Sequence, residues 1–66
     1  MKDKTKLILK FLRKNGRSST TRIAAEIKSD IHMAKQYLDQ LEYEEKITQE
    51  PETRGVYWEI RKWMFN

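Results

Sequence analysis

His32, Met33, Lys35 and Gln36 fall within five consecutive positions. Three of the four have a defined chemistry toward the edges of base pairs. A glutamine amide pairs bidentately with adenine, a lysine ammonium donates to guanine, and a methionine touches the methyl group of thymine. A second group, Ser19, Thr20, Thr21 and Arg22, places three hydroxyls and a guanidinium at the start of a helical segment. Free N–H groups and the positive end of the helix dipole take up phosphate at such a place. Arg54 stands in a turn bounded by Pro51 and Gly55, from which it would reach a nucleic-acid backbone or minor groove. About four to six phosphate contacts of this kind give a salt slope on the order of −4 to −5.

Every one of these residues has a plainer reading. His32 can be an exposed histidine, and Lys35 and Gln36 solvated helix residues. Ser19, Thr20 and Thr21 serve as helix caps in any case. Tyr57 and Trp58 read as core and hairpin packing rather than stacking platforms.

Other chemistries find less support. Glu42, Glu44, Glu45, Glu50 and Glu52 could supply a carboxylate pair, but in 66 residues they read as a solvated face. There is no glycine-rich phosphate loop and no nucleophile with a matching base, so no catalysis is expected. The chain has no cysteine and one histidine, so no disulfide, metal site or other cofactor is expected either. That composition fits a reducing cytoplasm, and the expected location is cytoplasmic, on the nucleoid when DNA is bound. No apolar run approaches the roughly 20 residues of a membrane span. Lys10, Arg13 and Lys14 interrupt what would be the apolar core of a signal peptide.

The elements that position these side chains follow from apolar spacing. Sixty-six residues make one domain, 1–66. Leu7, Ile8, Phe11 and Leu12 line one helix face with Leu9 on its flank, predicting a helix over about 3–14 that stops at Asn15-Gly16. The run of Ser and Thr at 18–21 offers N-caps for a second helix over about 20–28, with Ile23, Ala24 and Ile27 inward. Asp30 caps a third, over about 31–45, in which Ile31, Ala34, Leu38 and Leu41 face the core. His32, Gln36, Asp39 and Tyr43 then point outward, with Met33, Lys35 and Gln40 on the flanks. The period changes at Lys46. Two β-rich runs over about 46–60 predict a hairpin with Val56, Trp58 and Ile60 on one face. An apolar tail, 61–66, carries Trp63, Met64 and Phe65, which either cap the core or cover another subunit.

Charge is uneven along the chain. Residues 1–17 hold seven bases and one acid, 18–46 four bases and six acids, and 47–66 three of each, which together give the net +4. A basic first helix beside a mildly acidic middle suits an anionic partner met by one side of the molecule. The third helix and its exit, 29–47, nevertheless carry five acids against Lys35 and Lys46. The acids fall from Asp39 onward, while the candidate base-reading groups sit in the first two turns. Asp30 is set apart by its capping role.

The stretch "TTRIAAEIKSDIHMAKQYLDQLEYEEKI" followed by "TQEPETRGVYWEI" resembles the winged helix-turn-helix domains of small transcription regulators, over Lys6 to Ile60. The resemblance implies a mainly α fold with a small β-hairpin, three helices plus a two-stranded wing. It also implies that the N-terminal turns of the third helix enter the major groove while its C-terminal half runs toward the wing. The chain departs from the pattern in three places. Glu45 replaces the glycine that gives an easy left-handed stop, Ser29 stands at a turn position that is often apolar, and the third helix lacks a run of arginines. The wing with Trp58 is superficially similar to the branch that binds Z-form nucleic acid. That branch uses an Asn and a Tyr four residues apart on the third helix, where this chain has Lys35 and Asp39, so the branch is disfavoured.

The reading is a sequence-specific double-stranded DNA binder that regulates transcription by occupying its site, without a small-molecule ligand or a membrane. Its base contacts are His32, Met33, Lys35 and Gln36, and its phosphate contacts Ser19, Thr20, Thr21, Arg22 and Arg54. A homodimer stays open. The alternative is a winged helix that docks onto another protein through the acidic half of the third helix and the apolar tail, Trp63, Met64 and Phe65.

Overall fold

The computed structural model describes residues 4–53 and 55–61. Arg54, Trp63, Met64 and Phe65 lie outside the described residues. The elements run α1 (Lys4–Asn15), β1 (Ser18–Ser19), α2 (Thr20–Glu26), α3 (Ile31–Tyr43), β2 (Ile47–Glu52) and β3 (Gly55–Ile60). Three helices pack on a small antiparallel sheet of order β1-β3-β2, which gives the winged helix architecture.

The sheet is one strand wider than the expected hairpin. Ser18 and Ser19 pair with Trp58 and Tyr57, so β3 is hydrogen-bonded along both edges and lies in the middle. Two serines carry little β propensity, and their chemistry alone predicts only a cap. They become a strand because the free edge of β3 presents backbone groups that need partners.

One core serves the three helices and the strands β2 and β3. Ile8, Phe11 and Leu12 of α1, Ile23 and Ala24 of α2 with Ile27 after it, Ala34, Leu38 and Leu41 of α3, Ile47 of β2 and Trp58 of β3 are buried together. Leu9, Tyr37, Val56 and Ile60 pack against this cluster. Two residues expected inside are not. Leu7 is 47% exposed, because at 100° per residue it sits on the flank of the Ile8–Leu12 stripe opposite Leu9, and only the Leu9 flank is covered. Ile31 is 48% exposed at the first turn of α3, the end of its apolar stripe.

The helix ends explain the tight connections. Gly16, at φ +79°, takes the left-handed position after α1, and its N–H donates to the Leu12 carbonyl. α2 stops at Glu26 rather than near residue 28, and α3 at Tyr43 rather than near residue 45. Both close with the same pair of bonds. After α2 the N–H of Lys28 donates to Ala25 O and that of Ser29 to Ala24 O; after α3 the N–H of Glu45 donates to Glu42 O and that of Lys46 to Leu41 O. This is the Schellman arrangement, which requires a left-handed residue between the helix and the exit. Lys28 (φ 57°) and Glu45 (φ 63°) adopt it without being glycine. The missing glycine at 45 therefore does not prolong α3; the bonds that satisfy the terminal carbonyls hold Glu45 in the stop conformation.

Ser29 has its own role. Lys4 Nζ donates to Ser29 Oγ and to the Ile27 carbonyl, each at 3.0 Å, so a cation from α1 sits at the C-terminal end of α2, where the dipole favours it.

Candidate nucleic-acid interface

α3 is fixed from behind by Ala34, Leu38 and Leu41, all at most 1% exposed, so its opposite face is set by helix geometry. Asp30 starts it: the carboxylate accepts the Met33 N–H at 2.8 Å, satisfying a donor of the first turn. His32, Met33, Lys35 and Gln36 are all exposed, on the first two turns, in one contiguous surface. The exposed Ile31 adds a second large apolar side chain in the first turn of α3, on the other flank of the helix from Met33. Sequence reasoning misses it because Ile31 fits the inward spacing; only its place at the end of the helix leaves it uncovered.

Lys35 lies 3.5 Å from the Asp39 carboxylate one turn on. Both side chains are about half exposed. Such a pair contributes roughly 0.3–0.5 kcal/mol, too little to hold Lys35 back from a stronger acceptor. Asp39 therefore borders this patch, whereas Glu42 lies in the last turn of α3 and Glu44 and Glu45 follow the helix end.

The candidate phosphate group is more committed than its composition suggests. Ser19 is the N-cap of α2, with its hydroxyl accepting the Arg22 N–H at 3.2 Å. Thr20 Oγ1 accepts the indole N–H of Trp58 at 2.7 Å. Each hydroxyl keeps its own proton to donate, but its position is set by these bonds. Thr21 is exposed. Arg22 is exposed as well, with its guanidinium 5.8 Å from the centre of the Phe11 ring, which tethers it toward α1. Ser19 to Arg22 thus stand together at the start of α2, and His32 to Gln36 in the first turns of α3; Arg54 is not among the described residues.

Trp58 is fully buried and Tyr57 half-buried, so the wing pair is divided between the two faces of the sheet. Tyr57 lies in register with Ser19 on one side and Glu50 on the other. Arg17 crosses this row, with its guanidinium 5.3 Å from the Tyr57 ring centre and Nη1 2.9 Å from Glu50 Oε1. A loop arginine that charge counting would assign to long-range attraction is therefore turned onto the sheet. No sequence signal foretells this, because Arg17 and Glu50 are 33 residues apart and meet only through strand register.

Among the described residues, no group of three or more His, Asp or Glu side chains is placed to hold a metal ion. No described helix is long and apolar enough to cross a membrane.

Comparison with known proteins agrees with this geometry. The model of the FaeA-like protein family matches residues 1–62, and the chain belongs to that family. No curated protein matches it. Among solved structures it is similar to the Zalpha domain of PKZ from Carassius auratus, solved in complex with Z-DNA. That likeness has a TM-score of 0.80 and 28% identity, over 85% of this chain and 89% of that one. It is also similar to ZitR, a zinc-responsive MarR family member of Lactococcus lactis, with a TM-score of 0.82 and 25% identity over 94% of this chain. There it spans 44% of the longer protein. A cysteine-to-serine mutant of ZitR in complex with DNA has the same fold, with a TM-score of 0.82 at 23% identity.

Proposed function

We propose that this member of the FaeA-like family is a sequence-specific double-stranded DNA-binding protein that regulates transcription by occupying its site. The observation that carries the reading is the exposed N-terminal half of α3, where His32, Met33, Lys35 and Gln36 stand together on a helix whose other face is locked into the core. The fold it shares with the Zalpha domain, solved on Z-DNA, supports DNA binding in general.

In this mechanism the first turns of α3 enter the major groove. Gln36 pairs with adenine, Lys35 leaves Asp39 for a guanine, and Met33 and Ile31 meet thymine methyls. Thr21, Arg22 and Arg54, with the remaining hydroxyl protons of Ser19 and Thr20, donate to phosphates and fix the register. The acids from Asp39 onward lie outside the groove. Occupancy blocks or recruits other factors, and no catalytic step is involved.

Fluorescence anisotropy with a labelled duplex across a salt series tests the reading. Binding that falls linearly with log salt, and weakens with Lys35→Ala and Arg54→Ala, supports it. No binding by folded protein at low salt defeats it. A parallel arm uses an alternating CG duplex held in the left-handed form. Preference for that duplex would replace the major-groove reading with recognition of Z-form DNA, against the Lys35 and Asp39 argument.

A further inference from the structure

Two surface features play no part in the reading of bases. The first is a groove of about 440 Å³ between α1 and α2, lined by Leu7, Lys10, Phe11, Lys14, Arg22 and Glu26 among others. Leu7 and the ring of Phe11 supply its apolar surface, and three cations against one acid make its rim positive. No residue of α3 or of the sheet lines it. The second feature is Tyr43, in the last turn of α3, which is 88% exposed. It is flanked by Glu42, Glu44 and Glu45.

We propose that the Tyr43 end of α3 in one copy of this chain docks into the α1–α2 groove of a second copy. The two surfaces are complementary in both respects that matter. The phenol ring has apolar area to bury, and the groove offers the exposed Leu7 to receive it, with the nearly buried Phe11 among its lining residues. The glutamates around the ring meet Lys10 and Lys14 on the rim. Glu44 also lies 3.3 Å from Gln40 and 3.5 Å from Lys46, so Glu42 and Glu45 are the carboxylates whose reversal isolates the contact with the groove. The projecting end and the groove are different parts of the same chain, and the contact proposed is head-to-tail, each copy using its two surfaces on two different neighbours. One aromatic anchor buries far less than a standard interface, so the association is weak in free solution and weaker in high salt. Neither surface includes the candidate base contacts, and Arg22 is the one residue the groove shares with the candidate phosphate contacts, so the test is run without nucleic acid.

Sedimentation equilibrium of the full chain without nucleic acid tests it, at protein concentrations into the millimolar range, in low and high salt. The expected result is a mean mass that climbs from the 8.0 kDa monomer with no plateau at two copies. Tyr43→Ala, the pair Glu42→Lys with Glu45→Lys, and the pair Lys10→Glu with Lys14→Glu each weaken association by about tenfold or more. A mixture of the Tyr43→Ala chain and the Lys10→Glu, Lys14→Glu chain associates again but stops at two copies, because each retains only one working surface. Combining both charge reversals in one chain restores assembly. The positions are exposed except Glu42, which is half-buried, and circular dichroism confirms that each variant is folded. A protein that stays monomeric at every concentration in low salt overturns the proposal. So does assembly that ignores Tyr43→Ala, or that follows Trp63→Ala instead.

Discussion

Trp58 and Thr20, 38 residues apart in sequence, are joined by a 2.7 Å hydrogen bond from the indole Nε1 to the threonine Oγ1. The bond ties the middle strand of the sheet to the first residue of α2. It also satisfies the single polar atom of a side chain that is otherwise wholly buried. Wing and helix-turn-helix are thereby one unit, so a change at either residue is felt by both.

Thr20→Val keeps the shape and removes the acceptor. The stranded indole N–H is expected to cost about 1–3 kcal/mol. For a domain of this size that lowers Tm by roughly 4–8 °C per kcal/mol. Combined with Trp58→Phe in a double-mutant cycle, the two changes couple by at least about 0.5 kcal/mol. Additive effects in urea unfolding would show that the bond contributes nothing.

Glu45→Gly and Lys28→Gly are expected to stabilise. A non-glycine residue in the left-handed region costs about 1–2 kcal/mol. Against this stands the greater freedom of glycine in the unfolded chain, on the order of 0.5–1 kcal/mol. The balance is a gain of about 0.5–1 kcal/mol at each site, read as a higher urea midpoint at unchanged slope. Gly16→Ala, at φ +79° with open space around the added carbon, should destabilise for the same backbone reason.

Lys35→Ala and Gln36→Ala separate binding from folding. Both residues are exposed, and their removal should leave stability within about 0.5 kcal/mol of the parent. On a selected duplex site each should cost about 1–3 kcal/mol of affinity. Glu45→Gln, beyond the C-terminal end of α3, should leave that affinity unchanged. Equal losses from all three would contradict the docking of α3 by its first turns.

Arg17→Ala and Glu50→Gln test the arginine that crosses the sheet. Their side chains are 46% and 42% exposed, so the ion pair contributes at most about 1 kcal/mol and less in high salt. Arg17→Ala should cost more than Glu50→Gln, because it also removes the contact with the Tyr57 ring, worth about 0.5–1 kcal/mol at an exposed site. Thermal melts in low and high salt compare the two.

The amino-acid sequence by itself determined the winged helix architecture. Apolar side chains repeat at helical spacing through Ile8, Phe11 and Leu12, through Ile23 and Ile27, and through Ala34, Leu38 and Leu41, and then alternate at Val56, Trp58 and Ile60. Those spacings dictate which faces are buried, and burial is the dominant local signal a chain carries. The same logic put His32, Met33, Lys35 and Gln36 outside, since a helix with one face locked has no choice about the other. The tertiary structure alone decided what depends on residues far apart in the chain. It paired Ser18 and Ser19 with β3, joined Trp58 to Thr20, carried Arg17 onto Tyr57 and Glu50, set Lys4 on the end of α2, and left Leu7 and Ile31 uncovered. Periodicity is a property of neighbours along the chain. These contacts are fixed by strand register and by where each element happens to end, and no local spacing encodes either.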